Sequence, residues 1–220
     1  MRLVLIASPF VGGVAWAGVA AELPDALAAD YGGVDGPDWF EGVARRVSAQ
    51  AGARPWVAVL HSGAGAFAPA LADAAHAPAG FLFVDAGLPT PGRSALELAP
   101  PEFGRRLRER TRDGKLEPWS TWFDEDPTQR MIPDPTARAA FVAAQPRAPF
   151  AFLEAPCAGS DAWIDRPSGY LQFSRAYVDQ ADAAEARGWP VLRLRTHHLA
   201  MVSDPRLVAR EIESLVKRLA

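Results

Sequence analysis

Cysteine and lysine are nearly missing from this chain of 220 residues, which holds one cysteine, Cys157, and two lysines, Lys115 and Lys217. A single cysteine excludes an internal disulfide and any cysteine-rich metal site. No apolar run reaches membrane-spanning length without a break. The chain also lacks a phosphate-binding glycine loop, a dinucleotide fingerprint and metal-ligand spacing, so neither a cofactor nor a metal is expected. Basic residues are not in excess: 23 Lys and Arg stand against 26 Asp and Glu, a formal net charge of −3. That balance argues against nucleic acid or an anionic membrane as the main partner. What is present is ordinary for a globular protein, with 49% hydrophobic and 22% charged residues, which excludes extensive disorder. The length fits one domain, or one domain with an insertion. Such a chain buries roughly 70% of its unfolded surface on folding.

The first two dozen residues, MRLVLIASPFVGGVAWAGVAAEL, have the basic start, apolar stretch and small residues of a secretory leader. Pro9, Gly12 and Gly13 interrupt the apolar run early. The stretch therefore reads as a buried strand (3–7), a loop (8–13) and a helix (14–27). With no convincing leader, the cytoplasm is the expected compartment.

Five short apolar segments read as buried parallel strands: LVLIA (3–7), WVAVL (56–60), FLFVD (81–85), YLQFS (170–174) and VLRLR (191–195). A further short strand is expected near 31–34. Helical patterns lie between them, over 39–51, 65–75, 175–187 and 205–219. The last opens with Asp204 as N-cap and Pro205 at the first helical position. This alternation predicts an α/β fold with a mostly parallel sheet flanked by helices. The rhythm fails from about Pro89 to Pro167, a stretch rich in Pro, Trp, Arg and acidic residues. It contains a basic helix (101–112), a Trp-rich turn at Trp119 and Trp122, and a helix near 135–144. A structureless loop of that length is improbable. The segment 89–167 is expected to be a helical cap inserted into a core formed by 1–88 and 168–220.

Two places carry chemistry. In VLHSGAG (59–65) a buried strand ends and a helix begins, with Ser62 on the sharp turn between them. Such a turn lifts a hydroxyl out of the sheet and wants small residues two positions to either side. Ala64 meets that demand and Leu60 does not. The turn also aims the Gly63 N–H, at a helix start, toward developing negative charge on a bound carbonyl. The plain alternative is a Ser–Gly turn in which Ser62 merely caps a helix. In THHLAMVSDPRLVAREI (196–212) a strand ends, His197 and His198 follow, and a capped helix begins. Loops at the carboxyl ends of parallel strands are where active-site groups belong. A base there can take the Ser62 proton.

Together these segments resemble the α/β-hydrolase family over nearly the whole chain. HSGAG resembles its nucleophile elbow, which implies Ser62 as nucleophile. HLAMVSDP resembles its terminal histidine loop, in which the base precedes a proline by seven residues; counting back from Pro205 selects His198 over His197. The chain departs from the family pattern where the first strand ends, with Ser8-Pro9 in place of His-Gly, and at Leu60. The first loop normally supplies the second oxyanion donor as a backbone N–H. Pro9 has none and Phe10 has one, so Gly63 and Phe10 are the expected oxyanion pair.

The acid stays open. Asp85, at a strand end, is favoured on geometry; its plain reading is a turn-forming Asp ahead of Gly87. Asp179 comes next, near the commonest family position, where Tyr177 also falls. Glu154 and Asp161 follow. Trp119, Trp122, Phe123 and Trp163 are expected to roof the substrate pocket, with cap core as the alternative for at least half of them. His61, His76 and Cys157 read as structural or solvated. The run RRLRER (105–110) reads as a solvated helix face that could also attract an anionic substrate. The resemblance implies a serine hydrolase that cleaves an ester, thioester or related acyl bond of a small, largely apolar molecule through an acyl-enzyme. The alternatives are a non-hydrolytic lyase, cyclase or epimerase with His198 as proton-transfer base, or an inactive binding protein.

Overall fold

The computed structural model describes residues 1–34 and 36–219. Its strands are β1 (Arg2–Ile6), β2 (Leu27–Ala28), β3 (Trp56–His61), β4 (Gly80–Val84), β5 (Thr111–Arg112), β6 (Lys115–Leu116), β7 (Ser168–Gln172) and β8 (Val191–Arg193). Six of them form one sheet in the order β2-β1-β3-β4-β7-β8, and every neighbouring pair is parallel. The central strands are apolar on both faces because helices cover both sides of a parallel sheet. Val57, Ala58, Val59, Leu60, Phe81, Leu82 and Phe83 are all fully buried. Each buried Phe, Leu or Val contributes about 1.5–3 kcal/mol of transfer free energy.

The helices follow from patterning. Over Trp39–Ala51 the buried residues Phe40, Val43, Ala44, Val47 and Ala51 recur at helical spacing, and Gly52 ends the helix at φ 73°, as a left-handed C-terminal residue should. Pro205–Val216 begins with the Asp204 side chain accepting from the Leu207 N–H, with Pro205 at the first position. The helix expected over 14–27 is a 3-10 turn over Gly13–Trp16 and a short helix over Ala17–Glu22, and Leu27 belongs to β2 instead.

The edge strand lies at Leu27–Ala28, not near 31–34. Val4 pairs with Leu27 and Leu5 with Ala28. Beyond them the chain turns: the Asp30 carboxylate accepts from the Gly32 N–H, Gly33 sits at φ 77°, and the Tyr31 hydroxyl donates to the Ala7 carbonyl. That turn chemistry overrides the strand tendency of Tyr31 and Val34.

Between β4 and β7 the chain leaves the sheet. It forms short helices over Ala95–Leu98, Pro101–Glu109, Thr128–Met131, Pro135–Ala143 and Ala151–Glu154, with the antiparallel ribbon β5–β6 between them. Leu107 is buried while its arginine neighbours Arg105, Arg106 and Arg108 are exposed, which is the solvated face expected of RRLRER. Arg108 pairs with Glu154 at 3.1 Å. Among the described residues no helix is long and apolar enough to cross a membrane.

Candidate active site

Ser62 and Asp85 directly follow β3 and β4, which are neighbours, and His198 lies in the loop five residues past β8, with β7 between β4 and β8. His61 closes β3 in extended conformation. The next residue, Ser62, is at φ 56°, and a 3-10 turn over Ser62–Phe67 then leads into the helix Ala68–Ala72. A left-handed serine is a strained conformation that persists only where its surroundings enforce it. Two contacts do so. The Gly87 N–H donates to the Ser62 carbonyl at 3.3 Å. A Cβ on Gly65 would lie 2.0 Å from the Gly87 carbonyl oxygen, so only glycine permits this approach. Leu60 is fully buried between Ile6 and Phe83 in the strand register, and the strained turn forms with this larger residue in place.

The Ser62 Oγ lies 3.1 Å from His198 Nε2, and His198 Nδ1 lies 2.7 Å from Asp85 Oδ2. The carboxylate fixes the tautomer. Nδ1–H donates to Asp85, which leaves Nε2 as acceptor for the Ser62 hydroxyl. Asp85 has φ 42°, a region that Asp tolerates better than most residues. Its Oδ1 accepts from the Phe173 and Ser174 N–H groups at 2.8 and 2.9 Å, and its Oδ2 also accepts from the Ser174 hydroxyl at 2.7 Å. Tyr170 braces the loop by bonding both the N–H and the carbonyl of Ala86. Burial alone would raise the Asp85 carboxyl. The His198 ring and the Ser174 donors overcome it and hold the group below its ordinary range, so it stays an anion.

The histidine loop is anchored from beneath. The His198 carbonyl lies 3.2 Å from His61 Nε2, and the two rings pack with centroids 4.6 Å apart. His61 therefore donates from Nε2, and its buried Nδ1 has no hydrogen-bond partner among the described residues. Burial, then the neighbouring His198, lower the His61 pKa well below the ordinary value. His197 points elsewhere: its Nε2 lies 3.1 Å from Ser203 Oγ.

Of the other acids considered, none reaches His198. Asp179 is exposed on the first turn of the helix Val178–Ala186, Glu154 pairs with Arg108, and Asp161 is exposed at a 3-10 start. Asp85 instead reaches across to the end of β7, the place where an acid is commoner in the resembled family. Tyr177 occupies that neighbourhood. Its ring stacks on His198 at 5.3 Å and 11°, and its hydroxyl lies 3.2 Å from Ser62 Oγ. Burial pushes that hydroxyl up to about 12, so at neutral pH it is an O–H donor. In the sequence, Tyr177 stands out only by falling where the acid of the resembled family is commonest. A tyrosine five residues past the end of a strand carries no signal of its stacking partner.

The two residues expected to supply oxyanion donors, Gly63 and Phe10, differ in their surroundings. Gly63 is the second residue of the 3-10 turn Ser62–Phe67, within the first turn, where N–H groups have no intrahelical acceptor. The Phe10 N–H is directed to Ser8 Oγ at 3.3 Å. The aromatic residues divide as well. Trp119 lies 6.1 Å from His198 and 5.3 Å from Phe123, and Trp122 lies 4.9 Å from Phe10, which also meets Phe152 at 5.5 Å. Trp163 is fully buried and packs on Phe83 and Trp189, a core position of the kind expected for at least half of these aromatics. Cys157 donates its thiol to the Ala66 carbonyl, and burial pushes it up to about 11, which keeps it protonated at neutral pH. His76 is exposed. No cluster of three or more potential metal ligands occurs among the described residues.

No family model matches the sequence, and no curated protein matches it. The fold, by contrast, is shared with solved structures over nearly the whole chain. An extracellular α/β-hydrolase from a Paenibacillus species superimposes with a TM-score of 0.77 at 16% identity, covering 98% of each chain. A pyrethroid hydrolase from Sphingobium faniae gives 0.70 at 16% identity, covering 99% of this chain and 97% of that one. Tomato methylketone synthase I, solved with 2-tridecanone, gives 0.69 at 13% identity, covering 100% and 98%. The chain has the α/β-hydrolase fold.

Proposed function

We propose that this chain is a serine hydrolase that cleaves an ester, thioester or related acyl bond of a small, largely apolar molecule. The observation that carries the proposal is the continuous hydrogen-bonded line Ser62–His198–Asp85, built on a strained turn. Ser62 Oγ attacks the carbonyl carbon as its proton passes to His198 Nε2. Asp85 stabilises the resulting imidazolium without taking its proton. The Gly63 N–H faces the developing oxyanion. His198 then returns the proton to the leaving group, and water repeats the sequence on the acyl-enzyme. Trp119, Trp122 and Phe123 form the apolar surround for the acyl portion, in a cap made of 89–167. Two of the compared structures carry hydrolase names, which agrees with this reading.

A second reading is favoured by one observation: the Tyr177 hydroxyl and His198 both contact Ser62 Oγ. In that reading Ser62 and Tyr177 bind substrate as hydroxyls, His198 moves a proton, and no acyl-enzyme forms. Phosphonylation by a fluorophosphonate separates the two, because only an activated Ser62 forms the adduct.

A further inference from the structure

We propose that the Ser8 hydroxyl is the second oxyanion donor of this site, replacing the backbone N–H that Pro9 cannot supply. The inference rests on the acyl-transfer reading above and adds a catalytic residue to it. Ser8 follows the end of β1 and is fully buried. Its backbone carbonyl accepts from the Val11 and Gly12 N–H groups at 3.2 and 3.0 Å, which fixes the loop. Its Oγ accepts the Phe10 N–H at 3.3 Å. No acceptor for the Ser8 O–H itself occurs among the described residues. A buried hydroxyl that receives a hydrogen bond and gives none is an unspent donor, and such donors cost free energy unless something uses them.

The position indicates what uses it. A Cβ built on Gly63 would lie 3.2 Å from Ser8 Oγ and 3.2 Å from the Phe10 ring edge. The Ser8 hydroxyl thus stands against the residue whose N–H is the first oxyanion donor, immediately after the nucleophile. The Phe10 N–H does not face the oxyanion directly. It donates to Ser8 Oγ, which polarises the hydroxyl and strengthens it as a donor. During attack, the electron pair of the carbonyl π bond moves onto the carbonyl oxygen. The Ser62 proton goes to His198, and Ser8 and Gly63 each donate a hydrogen bond to the oxyanion. Ser8 keeps its proton throughout.

The test is the Ser8→Ala variant, with p-nitrophenyl acetate as substrate and a trifluoromethyl ketone as a hemiketal-forming inhibitor. The expected result is a kcat loss of about 10²–10³-fold with KM nearly unchanged, as for removal of one oxyanion donor. The inhibition constant of the ketone should rise in parallel, because its hemiketal oxyanion uses the same donor. The thermal transition should match the wild type. If Ser8→Ala does not fold, Ser8→Cys keeps the volume with a much poorer donor and carries the same expectation. Wild-type kcat in the variant overturns the inference and assigns the hole to the Phe10 N–H released from Ser8. A fall in kcat with unchanged ketone affinity also overturns it, since the damage then lies outside the oxyanion. A wild-type protein inert toward both reagents overturns the acyl-transfer reading itself, and this inference with it.

Discussion

Asp85 shows how much one side chain organises. Its two oxygens accept four hydrogen bonds, from the Phe173 and Ser174 N–H groups, the Ser174 hydroxyl and His198. Replacing it with Asn puts an NH2 group against one of these donors or against His198 Nδ1, and so stabilises the wrong imidazole tautomer. Asp85→Asn is expected to lower kcat by about 10⁴-fold with little change in KM, measured by steady-state turnover of a p-nitrophenyl ester. A loss under tenfold would mean another group orients His198. At this scale the sequence was readable where a residue type coincided with a strand end, as for Ser62 and Asp85, while His198 stood out from His197 only by the spacing to Pro205 that the resembled family implies. It was silent where a role depends on a contact between distant segments. The Tyr177–His198 stack and the His61 bond to the His198 carbonyl join positions 21 and 137 residues apart. Likewise, nothing in the chain order tells that Trp163 packs on Phe83 and Trp189.

At the scale of elements, the site depends on how closely the turn after β3 meets the loop after β4. Gly65 is the point of closest approach, with Gly87 carbonyl oxygen 2.0 Å from where a Cβ would stand. Gly65→Ala must push the two segments apart, which moves Ser62 relative to Asp85. We expect a destabilisation of about 3 kcal/mol, read from urea unfolding, together with a loss of activity. Ordinary stability in this variant would show that the loops are not held in contact. The parallel strands were legible because short apolar runs bounded by turns have few other readings. The edge strand was placed a few residues late because β2 has only two residues, too few to make a pattern. Helix starts also shifted. The turns Ser62–Phe67 and Arg175–Tyr177 are 3-10, and local sequence rarely distinguishes a 3-10 turn from the first turn of an α-helix.

For the whole molecule, buried titratable groups tie stability to pH. His61 is fully buried with a pKa well below its ordinary value, through burial first and His198 second. His197 is lowered in the same sense. Below about pH 6.5 the unfolded chain binds protons that the native chain refuses. Stability should therefore fall as the pH drops from 6.5, by up to about 1.4 kcal/mol per pH unit for each such group. Asp85, held below its ordinary range, adds a second loss that begins near pH 4, as the unfolded carboxyl protonates first. Urea unfolding between pH 7.5 and 5 should show the first slope, and His61→Gln, which keeps a donor for the His198 carbonyl, should reduce it. An equal slope in the variant would remove His61 as its cause.

The central claim is that Ser62 is a nucleophile activated by His198 and Asp85. It is tested most directly by intact-protein mass after incubation with a fluorophosphonate, for the wild type and for Ser62→Ala. The account predicts a stoichiometric adduct on the folded wild type and none on the variant. A folded wild type that stays unmodified, or a variant that is labelled equally, would contradict it.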